Sequence, residues 1–193
     1  EDARVPRGET ADFTCLLDDT EVNAVWNIFP QEGGIYDSYE KEKTVTLGEE
    51  YKAGIYEIEA MSAGLFARTS ILKVVAIESI DPEEEEVPVA EDGLMGTTTM
   101  PITAKVVPPD CEDMVIWSDD APTDASGSAT CELPLNETGV FVRTASIGEN
   151  SLSSVITVFD LTRVSADPDP VNCGKSSELE AHYSPSSVDR HAI

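Results

Sequence analysis

Ala53-Gly54-Ile55-Tyr56-Glu57-Ile58-Glu59-Ala60 and Thr138-Gly139-Val140-Phe141-Val142-Arg143-Thr144-Ala145 carry one pattern written twice. In each, a glycine leads into an aromatic residue and then into a stretch that reads as a β-strand. Each follows a tryptophan, Trp26 in the first case and Trp117 in the second. A tryptophan on one strand and an aromatic corner entering a later strand fix the core of a small antiparallel sandwich. The duplication therefore predicts two similar β modules in series.

The repeat extends beyond the corners. Ser70-Ile71-Leu72-Lys73-Val74-Val75-Ala76-Ile77-Glu78-Ser79-Ile80 aligns without a gap on Ser154-Val155-Ile156-Thr157-Val158-Phe159-Asp160-Leu161-Thr162-Arg163-Val164, a register of about 84 residues. An Asp-Pro follows each, at Asp81-Pro82 and Asp167-Pro168. Around these anchors, alternating runs at Ala11 to Leu17, Val25 to Phe29, Lys43 to Leu47 and Ile102 to Val106 read as further strands. Met114-Val115-Ile116-Trp117 reads as the tryptophan strand of the second module, and Ile35-Tyr36-Asp37-Ser38-Tyr39 as either an exposed aromatic loop or an edge strand. A third copy starts at Leu179-Glu180-Ala181-His182-Tyr183-Ser184-Pro185, which matches Ile102-Thr103-Ala104-Lys105-Val106-Val107-Pro108. Two strands do not bury a core alone, so this piece is expected to lean on a neighbour or to be completed by another chain or segment. The expected division is 1–79, 80–164 and an incomplete third module or assembly segment over 165–193.

Thirty-eight acidic residues against twelve basic ones give a formal charge of −26. Nucleic-acid binding needs a basic footprint and is disfavoured. No apolar run of membrane-spanning length occurs, so no membrane insertion is expected within this chain. No leader-like segment stands at Glu1; a signal peptide already removed, or an excerpt of a longer protein, is the expectation. Catalysis has little to work with. A serine–histidine relay would need His182 or His191, and no nucleophile elbow or phosphate loop is present.

With these residues in view, both modules resemble immunoglobulin-like domains strung along extracellular proteins. Gly8 to Cys15 resembles the second strand with its core cysteine, Trp26 the core tryptophan, and Ala53-Gly54-Ile55-Tyr56 the tyrosine corner. The resemblance implies an all-β fold of two tandem antiparallel sandwiches plus the incomplete third module, with Trp26, Tyr56, Trp117 and Phe141 as core signature. It also implies departures. Ile58 stands at the second family cysteine, so the family's inter-sheet disulfide is missing, and Phe141 replaces the corner tyrosine.

The remaining candidates are few. Four cysteines allow three pairings; Cys111 and Cys131 are the expected intramodular disulfide. Cys15 is either a core residue or, with Cys173, an inter-module or inter-subunit partner. No cofactor is expected, although Asp81, Glu83, Glu84, Asp167 and Asp169, with Asp119 and Asp120 within possible reach, are calcium candidates at the acidic junction. The competing reading of Asp81 to Glu86 is a solvated spacer stiffened by proline. Asn136-Glu137-Thr138 is a glycosylation sequon placing a possible glycan on Asn136. The expected function is a non-enzymatic structural module of an extracellular or cell-surface protein: a stalk, spacer or filament subunit. Its expected partners are other copies of itself or neighbouring modules of a longer chain. An adhesin-type module recognising protein or glycan is the alternative, and an ancillary domain of a secreted enzyme a third class.

Overall fold

A computed structural model describes residues 2–30, 36–40, 42–46, 51–66, 70–90, 98–119, 128–167, 173, 176 and 178–186. Apart from one 3-10 helix, Pro109–Met114, its regular elements are strands. The first module contains β1 (Ala3–Pro6), β2 (Thr10–Thr14), β3 (Leu16–Leu17), β4 (Thr20–Glu21), β5 (Ala24–Phe29), β6 (Tyr36–Glu40), β7 (Glu42–Thr46), β8 (Gly54–Ser62), β9 (Leu65–Phe66) and the first half of β10 (Ser70–Asp81). The second contains the rest of β10, then β11 (Glu84–Pro88), β12 (Thr99–Val107), β13 (Ile116–Asp119), β14 (Thr130–Pro134), β15 (Gly139–Ile147) and the start of β16 (Asn150–Asp167). β17 (Glu178–Ser184) follows.

Period-2 alternation makes these strands and chooses their buried face. Ala11 and Phe13 of β2 are buried between exposed neighbours, as are Ile102, Ala104 and Val106 of β12. In the first module β10, β8, β5 and β6 lie side by side, with β1 parallel to β10, while β2 pairs with β7 in a separate sheet. The core between them holds Cys15, Trp26, Tyr51, Tyr56, Ile58 and Leu72. In the second, β11, β16, β15 and β13 form one sheet, and the far half of β10 with β12 and β14 forms the other. Its core holds Ile102, Val115, Trp117, Leu133, Ile147 and Ile156. The stretch Tyr36–Glu40 is an edge strand on β5.

The ladders repeat residue for residue. Ser70↔Ile58 in the first module becomes Ser154↔Arg143 in the second, shifts of 84 and 85. Trp26↔Ala60 becomes Trp117↔Ala145, again 85 on the longer strand. The link between modules repeats too. Ile77↔Val106, a bulge at Glu78, then Ser79↔Lys105 on β10 and β12 becomes Leu161↔Tyr183, a bulge at Thr162, then Arg163↔His182 on β16 and β17. β10 thus closes the first module and opens the second, and β16 makes the same ladder with β17.

Two sequence expectations change here. Met114 belongs to the 3-10 helix and not to the tryptophan strand, which starts at Ile116. Pro108 and Pro109 cannot donate to a ladder, and Pro109 has the fixed φ that starts a helical turn. The acidic run is no open spacer either. Glu84–Pro88 is a strand parallel to β16, pairing Glu84 with Val155 and Pro88 with Phe159. Glutamate is a poor strand former, but backbone pairing and the anchoring of Val87 on the second core override that preference. Carboxylates and a proline on such an edge also discourage further strand addition.

Candidate functional site: the junction between modules

The junction is where the two modules meet and where most cross-module contacts concentrate. β10 supplies Leu72 and Val74 to the first core and Val75, Ile77 and Ile80 to the second. Beside it, the 3-10 helix of the second module carries Asp110 and Asp113. Asp113 pairs with Arg4 of β1 at 2.6 Å, and Asp110 pairs with Lys73 of β10. These bridges use two of only twelve cationic side chains in a chain of charge −26. Lys73 holds the Asp110 carboxyl below its ordinary range, and Asp110 in turn raises Lys73, the hydrogen bond between them being the main cause. Asp113 likewise raises Arg4. All three titrating groups face solvent, so screening keeps each bridge weak.

The β15–β16 turn closes the other side of the junction. Asn150 accepts a 2.7 Å hydrogen bond at Oδ1 from the Ile77 amide. Gly148, at φ +57, lies so close to the first module that a Cβ there would stand 2.7 Å from Pro6 Cβ and 2.9 Å from Glu9 Oε1. The corresponding turn of the first module contains Gly64, at φ +79, with open space where its Cβ would be. The same turn is thus docked in one module and free in the other.

The signature residues lie at equivalent ladder positions, with one difference. Trp26 and Trp117 are buried, and Trp117 Nε1 donates to Ser128 O at 2.9 Å. Tyr56 donates from its hydroxyl to Lys52 O at 3.0 Å and meets the Tyr51 ring edge-on at 5.5 Å. Phe141 lacks the hydroxyl and packs half-buried against the second core.

The expected Cys111–Cys131 disulfide is not present in the structure. Cys131 pairs in register with Ile102, whereas Cys111 sits in the helix beyond Val107. Five residues of strand, about 16 Å, separate those levels, while bridged Cα atoms lie within about 7 Å. Both thiols are buried, and burial pushes the Cys111 thiol up. Cys15 is inside the first core, and Cys173 is exposed.

The described acidic candidates form no ligand set. Asp81 ends β10 and Glu84 begins β11, in opposite sheets. Asp81, Glu83 and Glu84 line an open depression with Ser153 and Val155. Among the described residues no three His, Cys, Asp or Glu side chains gather into a ligand set. Asp167 ends β16, Asp119 ends β13, and Asp169 and Asp120 lie outside the described residues. Asn136 and Thr138 are exposed just before β15.

His182 has Ser165 Oγ at 3.0 Å and Glu180 Oε2 at 3.9 Å, both at Nε2. A catalytic relay needs the acid on the other ring nitrogen, so this trio is a surface contact on the β16–β17 hairpin. His191 lies outside the described residues.

Sequence reasoning missed Arg143. It occupies the position equivalent to Ile58, faces the core, and is 6% exposed. The signal was available: Phe141, Arg143 and Ala145 share one face of an alternating strand. Opposite it, the Ser154 hydroxyl is fully buried with no hydrogen-bond partner.

No protein-family model and no curated protein sequence matches the chain. Among solved structures it is similar to a two-domain IG1+IG2 structure of DIP-gamma, at 13% identity and TM-score 0.39, over 81% of this chain and 92% of that one. It is similar to three N-terminal domains of the Highly Immunogenic Outer Capsid protein of bacteriophage RB49, at 12% identity and TM-score 0.38, over 93% of this chain and 65% of that one. It is similar to extracellular domains 3–5 of Drosophila OTK, at 12% identity and TM-score 0.30, over 95% and 73%. Among the described residues no helix is long and apolar enough to cross a membrane. By strand order, ladder register and the Tyr56 corner, the described residues form immunoglobulin-like β-sandwiches in tandem.

Proposed function

We propose that the chain is a non-catalytic spacer of an extracellular or cell-surface protein, built from stiffly joined modules over 1–79, 80–164 and 165–193. One observation carries this reading: β10 is shared by two sandwiches, so the modules have no free linker between them. The Arg4–Asp113 and Lys73–Asp110 bridges and the Asn150 hydrogen bond brace that strand from both sides. The same register recurs where β16 meets β17, with Phe159 and Tyr183 edge-to-face at 5.6 Å across it. There Leu161 and Val164 are 50% and 57% exposed, although their equivalents Ile77 and Ile80 are buried in the second core. A further sandwich sheet, from the same chain or from another copy, would cover them. Small-angle scattering of residues 1–193 tests the spacer reading: a single rigid profile is expected, and modules tumbling independently in NMR relaxation would refute it.

A second reading, an adhesin-type module, is favoured by Leu16, Leu17 and Leu65, exposed on the β3–β4 and β8–β9 hairpins. Loss of partner binding on Leu16→Ser and Leu65→Ser would support it.

A further inference from the structure

The outer face of the β13–β15–β16 sheet is uncharged. Ile116, Val140, Val142 and Val155 lie on it, and the residues between them are serines and threonines, including Thr144 and Thr157. Ile116, Val140 and Val142 are 57%, 54% and 43% exposed. In a chain of charge −26 such a face is unexpected. The fold does not require it to be free of charge: Val25, Ile55 and Ile71 of the first module match Ile116, Val140 and Val155, but three other matching ladder positions there are charged. Glu57 corresponds to Val142 and Glu59 to Thr144 by the shift of 85, and Lys73 to Thr157 by 84.

We infer that this face of the second module is a self-association surface whose occupant is the same face of a second copy. Charge selects the partner. A basic partner would find its complement on the many carboxylate-bearing surfaces, not on a neutral one. Two copies of an acidic chain repel each other wherever carboxylates meet; here they touch without burying any. Glu84 and Glu86, paired with Val155 and Thr157 on β11, border the face and leave its centre clear. The contact is small. Three strands by five residues cover roughly 15 by 16 Å, well under the ~800 Å² per partner of a stable complex. Pairing is therefore weak and reversible for single chains and gains strength where many copies are held side by side.

Sedimentation equilibrium of residues 1–193 at low and high salt tests this. Association that strengthens with salt is expected, since screening removes the net repulsion while the neutral contact is unaffected. Grafting the first module's charges, Val142→Glu with Thr144→Glu, should weaken association by roughly tenfold or more, because the contact would then bury unpaired carboxylates. The first module carries glutamate at these ladder positions, so the variant is expected to keep its melting temperature. A chain monomeric at every salt concentration, association that falls with salt, or association that survives the graft would each overturn the inference. The spacer reading is independent: a rigid chain that never associates would sink this inference alone.

Discussion

Gly148→Ala should pry the junction open while leaving both cores folded. Two effects add at this position. Alanine in the left-handed region costs about 1 kcal/mol. Its Cβ would also stand 2.7 Å from Pro6 Cβ, where carbon atoms prefer about 3.5–4.0 Å. Pro6 is a rigid ring, so its turn must retreat by about 1 Å; overpacking of this kind costs about 1–3 kcal/mol. What resists is modest. The two ion pairs are exposed and screened by solvent, so they resist little, and the hydrogen bond from the Ile77 amide to Asn150 contributes about 1 kcal/mol. The wedge therefore equals or exceeds the local bracing, and the modules should splay about β10. Gly64→Ala is the internal control, at φ +79 in the matching turn with nothing within 4 Å. It should lower stability by only about 1 kcal/mol, or about 4–8 °C for a domain of this size. Scattering should show a changed inter-module distance for Gly148→Ala and none for Gly64→Ala. Identical melting temperatures and profiles for the two variants would refute the close contact between Gly148 and Pro6.

Further outcomes follow from the same geometry. Tyr56→Phe removes the hydrogen bond to Lys52 O and should destabilise the first module by about 1 kcal/mol in thermal denaturation. Ser154→Ala removes a buried unsatisfied hydroxyl and should stabilise the second module by about 1 kcal/mol, read in the same assay. Ellman's reagent should label Cys173 at once and Cys15, Cys111 and Cys131 only on unfolding, with no melting change on adding reductant. The Asp110 carboxyl is depressed, so its contribution is present above its unfolded value and is lost as pH falls through its lower folded value. Lys73 is raised, so its contribution is lost as pH rises through its higher folded value. NMR relaxation should show the modules tightly coupled at neutral pH and looser in strong acid.

Much of this was legible because β structure has a period of two and the chain repeats. The gap-free match of Ser70 to Ile80 with Ser154 to Val164 places the two strands in equivalent positions, and the structure puts a bulge at matched residues of it, Glu78 and Thr162. What escaped depends on tertiary context. Arg143 reads as a surface cation until its neighbours on the alternation are followed inward. Glu83 to Glu86 reads as a spacer because composition does not reveal a neighbouring strand with free backbone groups. Cys111 and Cys131 are close in sequence, but they lie at levels of β12 that only the β12–β14 pairing reveals. The junction contacts join residues up to 109 positions apart, and no local pattern marks them.

The parallel pairings of β1 with β10 and of β11 with β16 have a mechanical meaning. In each module the strand near the entry of the chain lies alongside the strand by which the chain leaves, pointing the same way. Tension along the chain slides these strands past each other. Every hydrogen bond of the pairing then bears load together, instead of one bond after another peeling away. Because β10 continues from the first module's pairing into the second's, load passes between those sheets without a compliant segment between them. Such a chain should lengthen little under pull and should yield, when it does, one sandwich at a time.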